Sequence, residues 1–123
     1  MFLEHVNLTV SDLERSAKFY RELFGYRTRW RGKTAQGQPA VHVGNDHHYI
    51  ALFQAERPGK FERDYGDVGM NHLGLIVHDL GDMKSRLQRL GVDPHHEADY
   101  EPGQQLYFFD PDGIEVELVQ YDD

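Results

Sequence analysis

The chain has 123 residues, 13 Lys and Arg against 21 Asp and Glu, and a formal net charge of −8. That field repels phosphate backbones, so nucleic acid is not an expected partner, and the one basic run, Arg27, Arg29, Arg31 and Lys33, reads as a solvated strand edge. The absence of cysteine excludes disulfides and thiolate metal sites, and no apolar stretch approaches the roughly 20 residues of a membrane helix.

With 39% hydrophobic residues the chain has enough apolar side chains for a packed core. Met1 to His5 lack the charged start and apolar run of a signal peptide, and the expected location is the cytoplasm. From His5 to Val10 the residues alternate: Val6, Leu8 and Val10 share one face of a strand, and His5, Asn7 and Thr9 the other. Ser11 with Glu14 three residues on reads as a capping box. Leu13, Ala17, Tyr20 and Leu23 then recur at helical spacing until Gly25 stops the helix. Three strands are expected next, at about 26–30, 40–43 and 49–53, with turn residues in Gly32 to Pro39 and Gly44-Asn45-Asp46. The polar stretch from Ala55 to Gly69, with Pro58, Gly59, Gly66 and Gly69, reads as a linker or a lid.

After it the pattern restarts. Asn71 to Leu80 repeats Glu4 to Leu13 at an offset of 67, so that His72 stands for His5 and Asp79 for Asp12. Leu80, Met83, Leu87 and Leu90 form the second helical stripe, closed by Gly91. A weak strand is expected from Pro94 to Tyr100, and strong ones over Gln105–Phe109 and Ile114–Gln120, joined by the turn Asp110-Pro111-Asp112-Gly113. The order βαβββ–βαβββ predicts an α+β fold of two curled mixed sheets, each with its helix outside and a concave inner face. It is read as one domain over residues 1–123, with module 1 at about 1–54, a linker at about 55–69 and module 2 at about 70–123.

His5 and His72 hold equivalent places and point away from the face that packs on the helix. On the last strand Glu115 and Glu117 share one face, Val116 and Leu118 the other. A carboxylate inside a curled sheet is costly unless it is paired or bound to a cation. Two imidazoles, His5 and His72, with one carboxylate of that strand would make a facial three-ligand metal site with open positions for water, substrate or dioxygen. Tyr107 is a candidate catalytic proton donor, with a core tyrosine as the equally weighted reading. Trp30, Phe53 and Phe109 are read as lining an apolar pocket. His42, His47, His48, His78, His95 and His96 include candidate general bases that the sequence does not separate.

Two stretches resemble a known family. Tyr107-Phe108-Phe109-Asp110-Pro111-Asp112-Gly113-Ile114-Glu115-Val116-Glu117-Leu118-Val119 is similar to the closing signature of the glyoxalase–bleomycin-resistance–extradiol-dioxygenase superfamily, whose fold is the vicinal-oxygen-chelate domain. His5-Val6-Asn7-Leu8-Thr9-Val10-Ser11-Asp12-Leu13, with Phe19-Tyr20 and Leu23-Phe24-Gly25, is similar to its opening signature. The resemblance implies metal ligands at His5, His72 and Glu117 in members that use a metal; other members use none.

Copying the last strand back onto the first module sets Ala51 at the place of Glu117, where glyoxalase I-like and epimerase-like members carry Glu or Gln. Strand parity turns the nearby Gln54 to the opposite face. The remaining two-His, one-Glu pattern resembles that of iron-dependent extradiol dioxygenases. Leu106, Tyr107, Asp110, Pro111, Gly113 and Glu117 match their fingerprint. Its upstream histidine has Ala98, Asp99 and Tyr100 at the expected places, with His95 and His96 close by. Fosfomycin-resistance enzymes share the ligand set, but a thiol transferase of that group would carry Thr where Asn7 stands. The expectation is a metal-dependent enzyme acting on a small oxygen-chelating substrate, extradiol-dioxygenase-like first. A glyoxalase-like lyase or isomerase and a metal-free drug-binding protein stand as alternatives. Fe2+ is the expected ion ahead of Mn2+, Ni2+ or Zn2+. Exposed sheet edges and a modest core per chain add the expectation of a homodimer.

Overall fold

The computed structural model describes residues 1–122 and divides into two compact units, the first ending at Gly59 and the second beginning at Lys60. The expected end of the second module at Asp123 lies outside the described residues.

The first unit runs β1 (His5–Val10), α1 (Leu13–Phe24), β2 (Arg27–Lys33), β3 (Pro39–Gly44) and β4 (Tyr49–Gln54). Its sheet has the order β1-β4-β3-β2, with β1 parallel to β4 and the other pairs antiparallel. The second runs β5 (Leu73–Ile76), α2 (Leu80–Arg89), β6 (His96–Tyr100), β7 (Gly103–Phe109) and β8 (Glu115–Tyr121), in the order β5-β8-β7-β6 with the same polarity. Eight strands in two curled mixed sheets, with a helix in each unit, make this the α+β class that the βαβββ repeat predicts. Among the described residues no helix is long and apolar enough to cross a membrane.

Helix α1 begins one residue later than the capping-box reading places it. Asp12 is the N-cap of α1, extended at φ −140°, and its carboxylate accepts from the Arg15 amide at 3.2 Å. Asp79 does the same for α2, accepting from the Asp82 amide at 3.0 Å. The Ser11 hydroxyl is engaged elsewhere, donating to the Gly59 carbonyl at 2.6 Å. Gly25 closes α1 in the left-handed region at φ 69°, where a side chain would be strained. A repeated glutamine ties each sheet to its helix: the Oε1 atoms of Gln54 and Gln120 accept from the first helical amides, Leu13 at 2.9 Å and Leu80 at 2.8 Å.

Strand alternation then decides which side is dry. In the first unit Val41, Val43, Ile50 and Leu52 pack with Ala17, Tyr20 and Leu23 of α1, all buried. In the second unit Leu106, Phe108, Val116 and Leu118 are buried, as are Leu80, Met83 and Leu87 of α2. The opposite faces carry the histidines and the acids.

A half-buried polar pair adds a pH dependence to the first unit. The Tyr26 hydroxyl lies 2.6 Å from His48 Nε2, and burial pushes that tyrosine up to about 12. Burial first, then His47 and Arg29, holds His48 below its ordinary 6.5. The unfolded chain therefore binds more protons near pH 6, so stability should fall as the pH drops below about 6.5. The melting temperature of the intact chain should rise from about pH 5 to about pH 7, and His48→Gln should flatten part of that slope. Parallel profiles for the two proteins would contradict this.

Candidate functional site

The site of the second unit is built by the turn before β8. The Asp110 carboxylate accepts from the amides of Asp112 and Ile114, both at 2.9 Å, and Gly113 sits at φ 88°. The turn launches β8 in the register that buries Val116 and Leu118 and leaves Glu115 and Glu117 on the other face. Their side chains are nonetheless only 12% and 15% exposed, so each needs a partner.

His72, one residue before β5, is the shared partner. Its Nε2 lies 3.0 Å from Glu117 Oε1, and its Nδ1 lies 2.8 Å from the Tyr65 hydroxyl. Tyr65 donates its only proton to Glu115, and that hydrogen bond is the first cause pushing the phenol up to about 12, ahead of desolvation and the charge of Glu115. The other oxygen of Glu115 pairs with His95 Nε2 at 2.9 Å. Proton accounting follows from this network. With its proton committed to Glu115, the Tyr65 oxygen must accept from His72 Nδ1–H. The Nε2 lone pair of a neutral His72 then faces a carboxylate oxygen at 3.0 Å. Two acceptors at that distance repel unless a proton or a cation is shared between them.

That donor pair fits a divalent ion. Imidazole nitrogen and carboxylate oxygen are the ligands that Fe, Mn, Ni and Zn accept. Their 3.0 Å separation is about that of two adjacent ligand atoms each about 2.1 Å from an octahedral ion. Among the described residues, however, no three His, Asp or Glu side chains form a complete ligand group. The second unit supplies two donors of the expected three.

Tyr107 lies against the same imidazole, its ring edge-on to His72 with centroids 5.6 Å apart. Desolvation first, then the charge and hydrogen bond of Glu117, hold its hydroxyl above the usual phenol range. Phe109 stacks on His95 at 4.2 Å, and His96 lies 5.6 Å from Tyr107 across the β6–β7 pair.

His5 stands on the first unit, where it is 44% exposed and its Nδ1 lies 2.8 Å from Glu4. It stacks on Tyr49 at 4.7 Å, and the row of rings continues through His42 to Trp30, with the Arg29 guanidinium 4.6 Å over Tyr49. Ala51 stands opposite Asn7, whose side chain donates to the Ala51 carbonyl at 2.9 Å. Gln54 faces the helix, as parity requires, so this strand brings no fourth metal donor to its open face.

The structure thus gathers His72, Glu117 and Tyr107 in one unit and sets His5 on the other. Two residues of the cluster, Tyr65 and His95, were not singled out by the sequence. Tyr65 sits in a stretch without periodicity, where an aromatic among polar residues was the one available signal. In the sequence His95 is one of six candidate general bases that the pattern does not separate, and a near miss to the dioxygenase fingerprint.

A model of the Glyoxalase/Bleomycin resistance protein/Dioxygenase superfamily matches residues 2–118. The chain belongs to this superfamily. Two biphenyl-2,3-diol 1,2-dioxygenases of Rhodococcus globerulus are 28% and 30% identical to it over 94% and 93% of the chain, which spans 61% and 60% of their length. A glyoxylase/bleomycin resistance protein/dioxygenase domain from Frankia superposes with a TM-score of 0.84 at 25% identity, covering 100% of this chain and 93% of that one. A variant of the fosfomycin resistance protein FosX from Listeria monocytogenes, complexed with Mn(II) and dihydroxypropylphosphonic acid, has a TM-score of 0.76 at 21% identity. It covers 96% of this chain and 90% of that one, and it shares the fold. The shared fold does not fix the activity, so the reaction has to be argued from the site.

Proposed function

We propose that this chain is a divalent-metal-dependent enzyme acting on a small substrate that chelates through two neighbouring oxygens, with an extradiol-dioxygenase-like reaction. The observation that carries the reading is the His72–Glu117 pair, a ring nitrogen and a carboxylate oxygen 3.0 Å apart, a donor set that suits a divalent ion. His5, the equivalent of His72 in the internal repeat, is the third ligand of the proposal. When bound, the ion supplies Lewis acidity and a template on which substrate and dioxygen meet. Ala51 brings no donor, so an ion held by His5, His72 and Glu117 would keep open positions for both reactants. A fourth ligand, as glyoxalase-like chemistry would use, would take one of them.

The remaining roles fall to the protein. The Tyr107 hydroxyl, kept protonated by burial and by Glu117, donates to a substrate oxygen. The His95–Glu115 pair holds the neighbouring wall in place. Reconstitution with Fe(II) without air, followed by a panel of catechols and then oxygen, should give oxygen uptake and a yellow ring-cleaved product. Tyr107→Phe should keep its iron and lose about 100-fold in rate. Saturating iron with no uptake and no product would overturn the reaction assignment. Turnover of a 2-oxoaldehyde–thiol adduct by the nickel or zinc form would favour the lyase reading instead.

A further inference from the structure

The segment between the repeats does more than connect them. It is strapped to the turn that launches β8: the Phe61 amide donates to the Asp112 carbonyl at 2.7 Å and Lys60 Nζ to the Pro111 carbonyl at 2.9 Å. Gly113 leaves room for this strap, since a Cβ there would come within 2.7 Å of the Phe61 carbonyl oxygen. Further along, Asp64 closes a tight turn, its carboxylate accepting from the Gly66 amide at 2.8 Å and its carbonyl from the Asp67 amide at 3.0 Å. Arg63 fastens that turn to the residue before His72, its Nε donating to Asn71 Oδ1 at 3.0 Å. Tyr65 is therefore presented by a braced loop. Its ring lies nearly parallel to His72, with centroids 6.2 Å apart and planes within 20°.

We propose that Tyr65 is a positioning residue for His72. Together with Glu115 it holds the imidazole as the Nδ1–H tautomer and so turns the Nε2 lone pair toward the ion that Glu117 shares. The inference rests on the metal reading above. A histidine ligand needs its second nitrogen anchored to a hydrogen-bond acceptor, most often a carboxylate, carbonyl or water. Here the acceptor is a phenol oxygen whose own proton is held in the hydrogen bond to Glu115. Without the phenol, Nδ1 loses its 2.8 Å acceptor and the neutral ring gains by moving its proton to Nε2, where Glu117 accepts it. That tautomer has no lone pair to give a metal at Nε2.

The test uses the full-length chain with Tyr65→Phe, which keeps the ring, and Glu115→Gln, which interrupts the same relay at its far end. Nitrogen NMR of the metal-free protein at about pH 8 should show His72 protonated on Nδ1 in the wild type and mainly on Nε2 in Tyr65→Phe. Calorimetric titration with Mn(II) should show affinity about 10- to 100-fold lower in both variants. A wild type that binds Mn(II), with Tyr65→Phe unchanged in both affinity and tautomer, would overturn the positioning role and leave the metal reading standing. Weakening by Glu115→Gln alone would also exclude Tyr65 from it. A wild type that binds none of Mn(II), Ni(II), Zn(II) and, without air, Fe(II) would instead remove the metal reading on which the role depends.

Discussion

His72→Ala is expected to lose more than about 100-fold in affinity for a divalent ion, a larger loss than removing a residue that only orients a ligand. The reason is local. His72 Nε2 is the nitrogen that faces Glu117, and no other ring nitrogen among the described residues is recorded within hydrogen-bond reach of that carboxylate. Thermal unfolding gives a second readout. An ion at about 100 times its dissociation constant adds about 2.7 kcal/mol to a folded protein, on the order of 10 °C in melting temperature for a chain of this size. Wild-type protein should show that shift with Mn(II), and His72→Ala and Glu117→Ala should show none. An equal shift in all three would place the ion elsewhere.

Phe108→Ala should be the most damaging single change to the fold. The side chain is fully buried on β7, opposite Val116 of β8, within the cluster that includes Leu106 and Leu118. Truncating a buried phenylalanine costs about 3–5 kcal/mol through lost burial and the cavity left behind, a large part of the 5–15 kcal/mol of a typical domain. Because β7 also carries Tyr107, the loss should be felt at the site as well. Urea unfolding would report it as a lower midpoint, and a shift worth under about 1 kcal/mol would mean the site collapses without a cavity.

The fold was readable because two periods and one repeat agreed. Alternation from His5 to Val10 and from Glu115 to Tyr121 separated a dry face from a functional one, and the 67-residue offset multiplied each signal by two. Ser11 fits a cap because serine and aspartate both cap helices, and Glu14 completes the serine pattern. The repeat held the better answer: His78 replaces Ser11, while Asp79 preserves Asp12. Parity alone turned Gln54 toward the helix, and the structure agrees. Tyr65 was not legible. Its place depends on the strap from Phe61 to Asp112 and the brace from Arg63 to Asn71, contacts that no period encodes. His95 was hidden for a related reason: it precedes β6, and its reach to Glu115 depends on how the chain enters that strand.

The central claim is that His72 and Glu117 share a divalent ion. Calorimetric titration of the full-length, metal-stripped chain, free of affinity-tag histidines, tests it most directly, using Mn(II), Ni(II), Zn(II) and, without air, Fe(II). The account predicts saturable binding of one ion per chain, abolished by His72→Ala and by Glu117→Ala. Absence of binding for all four ions, or undiminished binding in both variants, would contradict it.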